Sequence, residues 1–223
     1  MSQGKEVWNA VEEFVNNYGE MVLSPLVTKE IKADFKHLSY SLSRYKFAGK
    51  MLEGKKSVME VGCNAGFKTM MFSQFVEKVV GIDFSESAIA YANANYADKN
   101  RTYICADITK IEPFAEKFEA AVSLDVIEHI PKEEETVFLE AIVKNLDKNG
   151  ICIIGTPNIT ASAYQSEETK LSHINLYSHA RLKALMEKYF VNVFMFGMND
   201  EVVHTGFSAM SHYIIAMGVG VKS

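Results

Sequence analysis

Cysteine is scarce in this chain: Cys63, Cys105 and Cys152 are the only three in 223 residues, with no CxxC pair and no histidine-rich segment beside them. A disulfide framework and a zinc ribbon are thereby excluded, the thiols read as reduced, and no metal is expected. No run of about 18 apolar residues is present to span a bilayer, and residues 1–8 lack the apolar core of a signal peptide. The expectation is a cytoplasmic protein without membrane insertion. A cationic surplus is also missing, since 23 Lys and Arg face 28 Asp and Glu for a net charge of -5. Non-specific nucleic-acid affinity comes from clustered basic residues, so no nucleic-acid partner is expected. With 48% hydrophobic and 23% charged residues the composition is that of an ordinary folded chain, without repeats or low-complexity segments.

What is present divides in two. Up to about residue 52 the apolar positions Val7, Val11, Phe14 and Val15 recur at steps of three and four, which predicts helices. Ser24 before Pro25 suits a helix start, and residues 37–52 read as a further helix. After Gly54 short apolar runs, at residues 57–61, 79–82, 102–105, 120–124 and 151–154, alternate with helical patterns at 67–75, 86–96 and 133–146. Parallel strands need crossovers that carry the chain over the sheet, so this alternation predicts a doubly wound α/β fold. A helix at 178–189 and strands at 191–196 and 213–217 complete it, the last two as an antiparallel terminal hairpin. The whole predicts a mostly parallel seven-stranded sheet behind N-terminal helices.

Gly62 and Gly66 follow the first strand, where ligands bind at the carboxyl ends of a parallel sheet. A dinucleotide fingerprint would need glycine at positions 64 and 67, which are Asn64 and Phe67, and no Gly-Lys-Ser/Thr makes a P-loop. Glu60, Asp83, Asp107 and Asp125 each stand at or just beyond a strand end. Four carboxylates around one crevice repel phosphates and suit a ligand with ribose hydroxyls, an amine and a positive charge.

The ordered series Glu60-Val-Gly-Cys-Asn-Ala-Gly66, Val80-Gly-Ile-Asp83-Phe-Ser85, Ala106-Asp107-Ile108 and Leu124-Asp-Val-Ile-Glu-His129-Ile130 resembles the successive motifs of class I S-adenosylmethionine-dependent methyltransferases. The likeness is strongest to the branch containing ubiquinone-biosynthesis O-methyltransferases and sugar-modifying enzymes, and it covers roughly residues 55–190. It implies S-adenosylmethionine as cofactor, with the Gly62–Gly66 turn under its amino acid moiety, Asp83 on the ribose hydroxyls, and Asp107 with Ile108 at the adenine. Asn64 replaces a family glycine, and asparagine tolerates the left-handed backbone such a turn needs. Phe84 and Leu124 join the cofactor side, and Glu60 orients the glycine turn. Arg44 is expected to pair with the cofactor carboxylate, for which a guanidinium fork is well shaped; the alternative is a solvated helix face.

Residues 1–53 are expected to form a helical extension over the cofactor, residues 54–223 the methyltransferase domain, and the loop at about 156–177 a substrate-side lid. His173 and His129 are the candidate bases, imidazole titrating near neutrality, with a structural role as the alternative for each. Asn158, Tyr177 and His204 are placed on the substrate side. The resemblance implies methyl transfer to an oxygen of a small polar metabolite, such as a sugar or a phosphoryl or phosphoramidate group in surface-glycan assembly. N-methylation of a small amine, tRNA methylation and a non-catalytic cofactor-binding module are the alternatives.

Overall fold

A computed structural model describes residues 3–222. Three helices come first: α1 (Gln3–Asn16), α2 (Pro25–Ala33) and α3 (Phe35–Met51). The predicted start at Ser24 is found, its hydroxyl accepting from the Val27 amide ahead of Pro25, and Asp34 caps α3 in the same way through the His37 amide. Helix α1 has no buried residue.

The sheet strands are β1 (Ser57–Val61), β2 (Lys78–Asp83), β3 (Arg101–Cys105), β4 (Phe118–Leu124), β5 (Leu146–Pro157), β6 (Phe190–Asn199), β7 (Val202–His204) and β8 (Tyr213–Val221), in the order β3-β2-β1-β4-β5-β8-β6-β7. Helices α4 (Glu86–Asn95), α5 (Glu135–Val143), α6 (Glu167–Ser172) and α7 (His179–Met186) lie between strands. The first five strands pair in parallel. Strand β8 then runs antiparallel between β5 and β6.

The doubly wound fold is as expected, with two differences. The sheet has eight strands among the described residues rather than seven. The extra strand arises because Asp200 takes a left-handed backbone (φ 49°) and turns the chain back, pairing Met198 with Val203. Residues 67–75, expected as an α-helix, form a tighter 3-10 segment at Lys68–Gln74.

Alternation along the strands splits the core in two. Met59 and Val61 of β1, Ala121 of β4 and Ile154 of β5 meet α5 and α7 through Leu139, Ile142 and Leu182. Val58, Val122 and Ile153 face the opposite way, onto Tyr45, Ala48 and Leu52 of α3 and Phe72 of the 3-10 segment. Burying both faces gives the strands their near-continuous apolar character. The strand order reverses between β1 and β4, and the crevice at this switch point opens at the carboxyl ends of the parallel strands.

Candidate active site

The crevice is a cleft of about 1440 Å³, large enough for a nucleoside-sized ligand together with a second small molecule. One wall comes from the strand-end turns of β1, β2, β4 and the β3 exit. Leu26, Val27 and Glu30 of α2 and Arg44 and Tyr45 of α3 form another, and Gln165, Thr169 and His173 close the far end.

At the glycine turn, Gly62, Asn64 and Gly66 all have left-handed backbones (φ 83°, 49° and 78°). A Cβ at Gly62 would stand 2.2 Å from Val126, and one at Gly66 would stand 2.5 Å from the Tyr103 ring, so both positions must lack a side chain. Asp83, at the end of β2, accepts from the Asn64 amide and the Ser85 amide, each at 2.9 Å, which orients its carboxylate at the cleft wall. Lys68 pairs with Glu30 at 2.8 Å and ties this turn to α2.

Asp107 accepts from the Thr109 hydroxyl at 2.7 Å, and the Lys110 ammonium at 2.8 Å holds its carboxyl below the usual range. Ile108 and Leu124 are buried with faces on the cleft, while Phe84 stands exposed at its edge. Gly62, Asn64, Gly66, Asp83, Phe84, Asp107, Ile108 and Leu124 thus gather on one side of one cavity.

Two cofactor-side expectations meet a different geometry. Glu60 does not reach the cleft: its alternation phase on β1 turns it into the core beside Tyr45 and Thr69, where burial pushes its carboxyl up to about 7 against the lowering influence of those two hydroxyls and Lys68. Arg44 does line the cleft, but its Nη1 is bound to both oxygens of Asp125, at 2.9 and 3.0 Å, and its guanidinium stacks 3.9 Å from the Tyr213 ring centroid. Burial opposes its charge, yet Asp125, Tyr213 and Glu128 more than compensate and its pKa is raised.

At the far end His129 and His173 come together, with ring centroids 4.9 Å apart and planes nearly perpendicular. His129 Nδ1 contacts the Ser172 carbonyl at 2.9 Å, and His173 Nδ1 contacts the Gln165 amide at 3.2 Å. Partial burial, with His129 nearby, lowers the His173 pKa, while Asp125 opposes that shift. Beneath them lies Glu128, fully buried, accepting from the Thr156 hydroxyl at 3.0 Å. Burial and the Asp125 charge push its carboxyl up to about 8. Sequence reasoning passed over Glu128 because an acidic residue beside a histidine gives no local sign of burial.

The three substrate-side expectations do not line the cleft. Asn158 is buried and donates to the Ser208 and Ser211 carbonyls at 2.8 and 2.9 Å, stapling two loops together. Tyr177 is buried with its hydroxyl on Glu135 at 2.6 Å, in a cluster that also holds Asn175 and Arg181. His204 lies on β7 and bonds Asn199 at 2.8 Å. Each is bonded to polar groups of the fold itself, backbone carbonyls for Asn158 and side chains for Tyr177 and His204.

The architecture is that of class I methyltransferases. Solved structures with the same fold include an N-methyltransferase from Bradyrhizobium japonicum in complex with S-adenosylhomocysteine (17% identity, TM-score 0.59, covering 83% of this chain and 86% of that one). A magnesium protoporphyrin IX methyltransferase from Synechocystis with bound S-adenosylmethionine is a second (19% identity, TM-score 0.57, covering 100% and 92%).

Residues 59–154 match the methyltransferase domain family. Curated relatives include ubiquinone-biosynthesis O-methyltransferases from Bradyrhizobium diazoefficiens, 32% identical over 47% of this chain and 41% of that protein, and from Glaesserella parasuis, 30% identical over 51% and 50%. The chain spans about half or less of the length of these relatives. The resemblance to class I methyltransferases read from the motifs is therefore found in both sequence and fold.

Proposed function

We propose that this chain is an S-adenosylmethionine-dependent methyltransferase that acts on a hydroxyl oxygen of a small polar metabolite. The observation that carries the reading is the division of one cleft into two chemically distinct ends. One end has a left-handed glycine turn with no side chains in the way and the Asp83 carboxylate beside it. The other has two imidazoles over a buried carboxylate.

The first end fits the cofactor. The Gly62–Gly66 turn, whose own amides are taken up within the fold, would lie under the cofactor's amino acid moiety, Asp83 would accept from the ribose hydroxyls, and Ile108 and Leu124 would supply apolar walls for the adenine. Clustered carboxylates suit a ligand carrying a sulfonium and an ammonium. When bound, it supplies an electrophilic methyl group on sulfur. The protein's own contribution is to align the acceptor oxygen with that methyl and to exclude water, for which α2 and the 165–173 segment form the walls.

The second end argues for a neutral acceptor. Glu128, largely protonated near neutrality, and Asp125, already paired with Arg44, offer nothing to neutralise an anionic phosphoryl oxygen, whereas a hydroxyl can donate to an imidazole. With the Gln165 amide turned so that its oxygen accepts from Nδ1, the neutral form of His173, favoured by its lowered pKa, would have Nε2 free to accept the hydroxyl proton as methyl transfer begins, a contribution of roughly 10²- to 10⁴-fold. A sugar hydroxyl in surface-glycan assembly is one acceptor with the required chemistry.

Isothermal calorimetry with S-adenosylmethionine, S-adenosylhomocysteine and NAD tests the reading at its base. Both sulfur ligands are expected to bind and NAD to give no heat. Asp83→Ala should weaken the two by about 1–3 kcal/mol through lost charge-assisted hydrogen bonds. Binding of NAD alone, or equal affinity in the variant, refutes the assignment.

A further inference from the structure

We propose that α1 is a self-association surface, which pairs antiparallel with the α1 of a second copy of this chain about a two-fold axis at Val11. The pairing does not depend on the methyl-transfer reading.

Helix α1 is 14 residues long, carries three valines and buries none of its residues. A helix of that length and composition is marginal in water, and most helical stability in proteins comes from covering an apolar face. Local contacts stiffen it: the Trp8 indole donates to Glu12 at 2.9 Å, and the Phe14 and Tyr18 rings meet edge to face 5.5 Å apart. At about 100° per residue, Val7, Trp8, Val11, Phe14 and Val15 fall within an arc of about 120°, a continuous stripe along the helix.

The stripe is large enough to need a partner. Trp8 is 61%, Phe14 62% and Tyr18 79% exposed, and the three valines stand open beside them. With roughly 150–250 Å² for a buried aromatic side chain and less for a valine, the stripe and Tyr18 offer on the order of 600 Å² per chain. Two such faces give roughly 1,200 Å² of buried surface, the lower edge of specific protein–protein interfaces. That area supports a weak dimer, with dissociation in the micromolar range.

Charge decides between occupants. The polar side of α1 carries Glu6, Glu12 and Glu13 against Lys5, a net charge of -2. Helices that lie on membranes present Lys and Arg to anionic headgroups, so this charge opposes a bilayer. The chain's own cleft is a poor cover, because no α1 residue lines it and the Tyr96 hydroxyl fastens the following linker by donating to the Val22 carbonyl at 2.7 Å. A second copy fits in one orientation. With the helices antiparallel about Val11, Val7 lies opposite Val15 and Trp8 opposite Phe14, while Glu6 meets Asn16, Glu12 meets Ala10 and Glu13 meets Asn9. A parallel pair in register sets each glutamate against its own copy, and like charges so placed destabilise. Opposed helix dipoles add to the preference, and a two-fold contact closes at two chains. Because α1 buries nothing on the sheet, pairing orders α1 without raising the melting temperature of the rest.

The test uses the full chain. Sedimentation velocity from about 1 to 200 μM should show monomer passing to dimer. Trp8 is the only tryptophan, so its emission should move to the blue over the same range as the indole leaves water. Val11→Glu places two carboxylates on the axis and is expected to weaken the dimer at least roughly tenfold with an unchanged melt, since Val11 belongs to neither core. Orientation is read by oxidative cross-linking in a Cys105→Ser background, which removes the exposed thiol. There Val11→Cys should give a disulfide-linked dimer and Val7→Cys should not, because its partner is Val15; any other pattern overturns the axis. A monomer throughout, or a dimer that Val11→Glu leaves intact, overturns the surface. A monomer whose Trp8 emission shifts with phosphatidylethanolamine–phosphatidylglycerol vesicles, or with S-adenosylhomocysteine, assigns the face to lipid or to the chain's own cleft and overturns the pairing.

Discussion

Glu60 sits two positions before the glycine turn, and its buried carboxyl titrates near 7 instead of the usual 4.5 because the core strips away its water. The folded state therefore holds a proton that the unfolded chain has shed across that interval, and stability falls as pH rises through it. Each pKa unit corresponds to about 1.4 kcal/mol, so the loss amounts to a few kcal/mol at most. Glu128, pushed to about 8, adds a loss of the same sign. Thermal melts at several pH values between about 5 and 8 should show the wild type losing Tm with rising pH, and Glu60→Gln losing distinctly less. Equal slopes would mean that Glu60 is better solvated than its burial indicates. Residues at strand ends were legible from their motifs: Asp83, Asn64 and Gly66 stand where the sequence pattern puts them. Glu60 was misplaced because a strand's phase decides which face a carboxylate takes. Asn158, Tyr177 and His204 were misplaced because a polar loop residue looks the same in sequence whether it meets a ligand or the fold's own polar groups.

Helix α3 and the 3-10 segment meet through Gly49, where a Cβ would lie 2.4 Å from the Phe75 ring. Gly49→Ala gains up to about 1 kcal/mol of helix propensity. Overpacking against the partly buried Phe75 ring costs roughly 1–3 kcal/mol, and this larger effect should win. A Tm lowered by a few degrees is expected, at roughly 2–4 °C per kcal/mol for a chain of this size; an unchanged or higher Tm would show that Phe75 swings aside. The element-level reading succeeded where runs were long or buried on both faces, as in β1 and β4. It missed β7 because three residues carry no usable periodicity. Nothing local announces the place of β8 either, since sheet order follows from pairings between residues tens of positions apart.

Across the whole molecule, burial is unevenly shared between the first helix and the last strand. Helix α1 exposes Val7, Trp8, Phe14 and Val15 and buries nothing. A chain starting at residue 17 should keep its stability to within about 0.5 kcal/mol. Removing residues 213–221 withdraws β8 from between β5 and β6 and opens both cores, so that variant should lack a cooperative melt. Circular dichroism melts of the two truncations check the contrast, and a large loss in the first would show that α1 packs against the rest of the protein.

The interior position of β8 also bears on how the chain is made. On the ribosome β5, β6 and β7 emerge before the strand that must join them. Until β8 leaves the exit tunnel, β5 presents an open row of amides and carbonyls and β6 has no place in the sheet. The nascent protein thus passes through a stage with an adhesive edge, the condition that invites pairing with neighbouring chains. Slower translation between residues 199 and 213 would lengthen that exposure and lower the soluble yield, while the finished protein would be the same.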